Sequence, residues 1–258
     1  MHDLYIERGT GPAVVCSHGT FMDRTMFDPQ IVALSDSYRT IAYNSRVLAG
    51  PNVPHTLDDL ADDCRDLLDR LQIATCVLVG MSVGGMMAMH FALRYQDRLD
   101  GLVLIDAFAY AFSPEERAEF GQRFSTLDRD GMLPRAFAEW VAPLCFGETT
   151  QRENPALVDH WVERWCTSIP ARSVYHQALS WLDKPDLTQA LAQIDVPTLI
   201  LCGDEDVRMN MDHLGEMQAN IPDARLVKIP HAGHTSNLEN PVAANRALEA
   251  FLDRVYTP

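Results

Sequence analysis

A serine bracketed by glycines constrains the fold of this chain more than any other sequence feature. Residues 74–79 form a short apolar run, Gly80-Met81-Ser82-Val83-Gly84-Gly85 follows, and residues 86–89 are methionine and alanine at helical spacing. This order predicts a buried strand, a sharp turn and a helix. Only residues without a bulky Cβ fit at Gly80 and Gly84 if strand and helix pack closely around the turn. Ser82 is therefore predicted to have a strained backbone, with its hydroxyl exposed at the end of the strand.

Apolar runs that predict further buried strands recur along the chain. They lie at residues 13–17, 38–43, 101–106 and 196–202, with helical patterns between several of them. Strands that are apolar throughout and alternate with helices are typical of a parallel sheet covered on both faces. The expected fold class is α/β, with a mostly parallel, doubly wound sheet.

Residues 107–189 interrupt this alternation. The segment contains several helix starts, no convincing apolar strand and all four tryptophans of the chain. We predict a helical lid inserted into a core formed by residues 1–106 and 190–258. Most of its aromatic side chains are expected to pack the lid onto the core, and a few to line a pocket.

Charge and the absence of targeting signals narrow the classes of partner and location. The chain of 258 residues has a formal net charge of -15, which disfavours nucleic acid and anionic membrane surfaces as partners. Its first residues lack a basic segment followed by an apolar one, and no apolar run approaches the ~18 residues of a membrane span. The sequence predicts a cytoplasmic protein that binds neither nucleic acid nor membrane, and it leaves a homo-oligomer possible.

Neither a metal nor a cofactor is expected. The six cysteines form no C-x-x-C pair and have no histidine at zinc-ligand spacing, so free buried thiols in a reducing compartment are the simpler interpretation. The glycines around Ser82 also differ from the spacing of nucleotide-binding loops.

The order of serine, late carboxylate and final histidine resembles the α/β-hydrolase superfamily over nearly the whole chain. The resemblance rests on His18-Gly19, on the glycine-bracketed Ser82, on residues 197–206 and on Ala232-Gly233-His234 followed by residues 238–241. Within the superfamily, Met86-Met87-Ala88 and residues 186–197 are most similar to enol-lactone hydrolases, cofactor-free haloperoxidases and esterases.

The resemblance implies roles for three side chains. Ser82 would be the nucleophile, and His234 the base that accepts the proton of its hydroxyl. The acid that holds the other ring nitrogen of the histidine would be Asp206, three residues after Gly203. Asp204 and Asp106 are alternatives, because some members of the superfamily carry the acid after an earlier strand and sequence alone does not show side-chain reach.

The same resemblance implies two backbone donors for an oxyanion hole. These would be the N–H groups of Val83, directly after the nucleophile, and of Thr20, directly after His18-Gly19. Phe21 is the alternative to Thr20 if that loop bends differently.

The predicted function is a serine hydrolase that cleaves a small carboxylic ester or lactone through an acyl-enzyme. A serine in place of an aspartate nucleophile disfavours haloalkane dehalogenase and epoxide hydrolase chemistry. Two alternatives stay open at this point. The same residues could perform perhydrolysis or carbon–carbon bond hydrolysis, or the fold could serve as a ligand receptor with little turnover.

Overall fold

The computed structural model describes residues 4–49 and 52–257. Residues 1–3, 50–51 and 258, which all belong to the predicted core, lie outside this description. None of the helices in the described ranges is long and apolar enough to cross a bilayer.

A seven-stranded sheet forms the centre of the molecule. Its spatial order is β1-β3-β2-β4-β5-β6-β7, with β1 antiparallel at one edge and all other neighbours parallel. The central strands are buried along their whole length because helices lie on both faces, which explains their continuous apolar runs. The strands are β1 Tyr5–Arg8, β2 Ala13–Ser17, β3 Arg39–Tyr43, β4 Cys76–Met81, β5 Leu99–Ile105, β6 Thr198–Gly203 and β7 Ala224–Ile229.

Twelve α-helices occur in the described ranges. They are α1 Asp28–Leu34, α2 Arg46–Ala49, α3 Leu57–Arg70, α4 Val83–Tyr95, α5 Pro114–Ser125, α6 Arg135–Cys145, α7 Glu148–Glu153, α8 Pro155–Ser168, α9 Ala171–Leu182, α10 Met211–Asn220, α11 Ser236–Glu239 and α12 Pro241–Tyr256. Short 3-10 turns add Arg24–Phe27, Gln96–Arg98 and Ala190–Gln193. Helices α3 and α4 pack on each other, and α1 packs on α12. The expected doubly wound α/β architecture is confirmed.

Local sequence explains where two of the longer helices begin. Thr56 and Asp59 form a capping box at the start of α3, and Ser113 and Glu116 form another at the start of α5. In each, the hydroxyl accepts a bond from a backbone N–H of the first turn, and the acidic side chain accepts one from the capping residue. The acidic side of α3 faces arginines, among them Arg46, which pairs with Asp63.

Five helices, α5 to α9, lie in sequence between β5 and β6, within the range predicted to form a lid. We call them the insertion. Helix α5 packs against α9, and α8 packs against both α6 and α7. Aromatic rings join the insertion to the core, for example Phe21 with Phe124 and with Trp165.

The parallel direction of the strands places six loops at the same edge of the sheet. The loops after β2, β3, β4, β5, β6 and β7 begin at the carboxyl ends of neighbouring strands, where ligands bind in open α/β sheets. These loops carry the residues that the sequence singles out.

Candidate active site

Ser82 lies in a strained turn between β4 and α4. Its backbone has φ 52° and ψ -117°, a region that residues with a side chain rarely adopt. A Cβ added at Gly80 would lie 2.3 Å from the carbonyl oxygen of Gly84, and one added at Gly84 would lie 2.2 Å from that of Ser17. Both glycines are therefore required by close backbone approach, as the motif predicts.

His234 lies between Ser82 and Asp206. Its Nε2 is 3.0 Å from Ser82 Oγ, and its Nδ1 is 2.8 Å from Asp206 Oδ2. Because a carboxylate can only accept, Nδ1 carries the proton and Nε2 is free to accept the serine hydroxyl. The side chain of Asp206 is fully buried and that of His234 is 9% exposed. The structure thus brings together the three side chains predicted from the sequence.

Asp106 is an alternative acid in the sequence analysis. Its carboxylate lies close to that of Asp206 but accepts its hydrogen bonds from other groups. Its Oδ1 accepts the backbone N–H of Gly203 and its Oδ2 that of Ser236, both at 2.9 Å. Burial raises the pKa of Asp106, and the nearby Asp206 carboxylate raises it further. Asp106 therefore fastens the end of β6 to the start of α11. The other alternative, Asp204, is exposed to solvent.

Asp106, Cys202 and Asp206 are the one group within the described ranges whose geometry could suggest a metal site. Their ligand atoms lie within 4.8 Å of one another. The carboxylates are already engaged, however, with two backbone N–H groups and with His234, and the Cys202 thiol donates to the carbonyl of Gly203. Burial raises the pKa of that thiol, which disfavours the thiolate that a metal requires.

The backbone N–H groups of Thr20 and Val83 form no hydrogen bond with the described residues. Val83 is the first residue of α4, where backbone donors have no partner within the helix. Thr20 and Val83 both line the pocket that contains Ser82 and His234, and so does Phe21, the alternative to Thr20. Two unsatisfied donors next to a serine are the arrangement that an oxyanion requires.

His18 fixes the loop that contains Thr20. Its Nδ1 donates to the carbonyl of Gly19 at 2.8 Å, and its Nε2 accepts the N–H of Ser45 at 3.0 Å. Burial lowers the pKa of His18, in agreement with a neutral ring that uses one nitrogen as donor and the other as acceptor.

Comparison with known proteins identifies the family. The model of the alpha/beta hydrolase fold family matches residues 12–241, which is most of the chain. The chain belongs to the α/β-hydrolase family. This membership confirms the resemblance predicted from the sequence.

Individual relatives cover nearly the full length of this α/β-hydrolase. A thermophilic esterase from Thermogutta terrifontis, solved with malate bound, is 32% identical with a TM-score of 0.91, and the match covers 98% of this chain and 93% of that one. An enol-lactonase from Burkholderia xenovorans is 27% identical with a TM-score of 0.85, covering 96% and 95%. A candidate carbamate hydrolase of Variovorax paradoxus is 27% identical over 253 residues, 96% of this chain and 94% of the relative. These relatives support hydrolase activity.

The pocket of this α/β-hydrolase in front of Ser82 has a volume of about 530 Å³, including its mouth. Its wall is mainly apolar, with side chains from both the core and the insertion. The lining residues are Gly19, Thr20, Phe21, Met22, Met81, Ser82, Val83, Met86, Phe108, Phe124, Cys145, Trp181, Arg208, His234 and Thr235.

Two charged residues at the site are not predicted by the sequence analysis. Glu239 accepts the N–H groups of Gly233 and Thr235, which flank His234, and also that of Gly147 in the insertion. Arg208 lines the pocket two residues after Asp206. The sequence segment that contains Glu239 contributes to the family resemblance, but nothing in its spacing assigns this carboxylate to the histidine loop. No sequence pattern distinguishes Arg208 from a surface arginine.

Proposed function

We propose that this α/β-hydrolase is a serine hydrolase that cleaves small carboxylic esters or lactones. The observation that carries the proposal is the chain of hydrogen bonds from Ser82 through His234 to Asp206, which opens into an apolar pocket. In this proposal Asp206, rather than Asp106, is the acid, because its carboxylate contacts the histidine ring.

The proposed reaction proceeds in two steps. Ser82 Oγ attacks the carbonyl carbon while Nε2 of His234 takes the hydroxyl proton, and Asp206 stabilises the resulting imidazolium. The N–H groups of Thr20 and Val83 receive the negative charge of the tetrahedral intermediate. His234 then gives the proton to the leaving oxygen. A water molecule attacks the acyl-enzyme by the same route and releases the acid and free Ser82.

The insertion, with predicted boundaries at 107–189, is proposed to act as the lid of this site. Phe124, Cys145 and Trp181 of its helices line the pocket beside Ser82. An apolar wall excludes water from the reacting carbonyl and strengthens the electrostatic interactions there. The names of the relatives, an esterase and an enol-lactonase, agree with a small ester or lactone as the substrate.

The test is steady-state hydrolysis of p-nitrophenyl acetate, butyrate and hexanoate and of five- and six-membered lactones. The wild type is expected to turn over at least one ester or lactone, and Ser82→Ala is expected to lose about 10⁴-fold or more in kcat. Turnover that persists in Ser82→Ala contradicts the proposal. Binding of these compounds by the wild type without any turnover contradicts it as well and favours a receptor.

A further inference from the structure

Among the described residues, Arg208 is the one arginine or lysine in the wall of the active-site pocket. Apart from it and His234, the lining side chains are uncharged, and several are aromatic, such as Phe108, Phe124 and Trp181. A guanidinium keeps its positive charge at every pH at which a protein is folded. The pocket therefore offers one fixed positive charge in mainly apolar surroundings.

The position of Arg208 is set by the same loop that carries the proposed acid. Its backbone N–H donates to Asp206 Oδ1 at 2.8 Å, while Oδ2 of the same carboxylate faces His234. The guanidinium carbon lies 5.2 Å from the ring centroid of Phe120 in α5. The ring supports one face of the planar group and leaves its N–H donors available at the edges.

No carboxylate of the described ranges forms an ion pair with Arg208. Some arginines of the insertion do have such partners: Arg164 pairs with Asp23, and Arg172 pairs with Asp128 and Asp130. Two carboxylates in the loop of Arg208 are engaged elsewhere, since Asp206 faces His234 and Glu205 accepts from Thr149. The third, Asp204, is exposed to solvent and forms no ion pair with Arg208.

A second cation, Lys184, lies 4.9 Å from the ring centroid of Phe108 in the pocket wall, but it is not available to a ligand. Lys184 is buried, and its ammonium donates to the carbonyls of Ala109 and Tyr110. The net charge of the chain is -15, yet the half-buried Arg208 has no acidic partner among the described residues. This arrangement favours an anionic ligand as the partner of its guanidinium.

We propose that Arg208 binds a carboxylate of the substrate, so that the preferred ester or lactone of this enzyme is an anion. The proposal rests on the proposed function, since it assigns the substrate class of the same site. Arginine matches a carboxylate with two parallel N–H···O bonds, which gives both affinity and orientation. In a partly desolvated pocket such a contact is worth about 10- to 100-fold in kcat/KM.

The test compares esters that differ in one carboxylate. Monoethyl succinate, glutarate and adipate are each paired with the ethyl ester of the unsubstituted acid of equal chain length, namely butyrate, valerate and hexanoate. A further pair, 4-acetoxybutyrate and butyl acetate, places the charge on the alcohol side. The measured quantity is the ratio of kcat/KM for the anionic ester to kcat/KM for its neutral partner.

Four proteins enter the comparison: the wild type, Arg208→Gln, Arg208→Lys and Arg123→Gln as a matched control. Arg123 also stacks on a ring, 4.2 Å from the centroid of Trp140, but it is exposed and does not line the pocket of Ser82. For at least one pair, Arg208→Gln is expected to lower the ratio about 10- to 100-fold, mainly through KM. Arg208→Lys is expected to retain part of the preference, and Arg123→Gln all of it.

An unchanged ratio in Arg208→Gln for every pair overturns the proposal while leaving the proposed hydrolase function intact. Equal losses for anionic and neutral esters overturn it too, and assign Arg208 a purely structural role on Phe120. Failure of the proposed function itself is a different outcome, in which the wild type hydrolyses neither member of any pair nor the p-nitrophenyl esters.

Discussion

At the scale of single residues, the strained backbone of Ser82 depends on the absence of side chains on both sides of the turn. Gly84→Ala places a methyl group 2.2 Å from the carbonyl oxygen of Ser17, so strand and helix must separate. We expect a loss of at least about 2 kcal/mol in the free energy of unfolding, together with reduced turnover.

The control for this prediction is Gly121→Ala. Gly121 lies inside α5 with no atom within 4 Å of an added Cβ, and alanine favours a helix over glycine by about 0.5–1 kcal/mol. This variant is expected to be slightly more stable than the wild type in urea denaturation. Equal stability of Gly84→Ala and the wild type contradicts the account of the turn.

The two carboxylates near His234 are expected to respond differently to amidation. Asp206→Asn presents an amide to Nδ1 and favours the wrong tautomer, so kcat is expected to fall by about 10³- to 10⁴-fold with little change in fold. Asp106→Asn keeps one acceptor for the two backbone N–H groups of Gly203 and Ser236. It is expected to lower stability by about 1–3 kcal/mol, with a much smaller loss of turnover. Turnover and urea denaturation of both variants check this, and the opposite pattern would assign the acid to Asp106.

The sequence predicts the roles of some of these residues and not of others. The order of Ser82, a late carboxylate and His234 is enough to name the three, because each follows a strand whose apolar pattern is clear. The spacing after Gly203 favours Asp206, but the exclusion of Asp106 depends on side-chain reach across two loops, which the sequence does not show. Arg208 and Glu239 act through contacts with distant parts of the chain, so their roles emerge only from the fold.

At the scale of elements, an ion pair joins α8 of the insertion to the loop after β2. Arg164 pairs with Asp23, a buried residue that also caps a 3-10 turn by accepting from Thr25. Burial alone would raise the pKa of Asp23, but the hydrogen bonds from Arg164 and Thr25 outweigh it, so the pKa is lowered. The pair holds the insertion next to the loop that carries Thr20.

Removal of this arginine leaves a buried carboxylate with fewer partners. Arg164→Met is expected to reduce the free energy of unfolding by about 1–3 kcal/mol at pH 7. Since the pKa of Asp23 is lowered by folding, this contribution is present above the ordinary aspartate pKa and is lost as the pH falls through the lowered value. The difference between wild type and variant should therefore shrink below about pH 4.

Arg135→Met is the matched control, because its pair with Glu163 lies on the surface of the same insertion, with side chains 54% and 61% exposed. For Arg135→Met, a change within about 0.5 kcal/mol in the free energy of unfolding is expected at both pH 7 and pH 3.5. Urea denaturation of the three proteins at pH 7 and pH 3.5 measures these differences. A pH-independent difference for Arg164→Met contradicts the assignment to Asp23.

The elements themselves were predictable to different degrees. Strands β2 to β6 and the helices α3, α4, α10 and α12 have apolar patterns or caps that the sequence shows directly. The starts of α5, α6, α8 and α9 are marked by prolines or capping residues. Helices α1, α2, α7 and α11 have at most seven residues each. They are too short for a periodic pattern, and packing in the folded molecule stabilises them.

At the scale of the whole molecule, the parallel sheet brings together residues that are up to 216 positions apart in the chain, from His18 to His234. The loops after β2, β4, β6 and β7 meet at one edge of the sheet, and side chains of the insertion form part of the pocket wall there. The central claim is that this assembly activates the hydroxyl of Ser82.

Labelling of the intact protein with a fluorophosphonate probe tests this claim most directly, because the probe phosphonylates a serine, with loss of fluoride, only where a base and an oxyanion hole activate it. Peptide mapping by mass spectrometry is expected to place the adduct on Ser82 in the wild type, with strongly slowed labelling in His234→Ala and none at this position in Ser82→Ala. A folded wild-type protein without an adduct on Ser82, or with the adduct on another residue, contradicts the account.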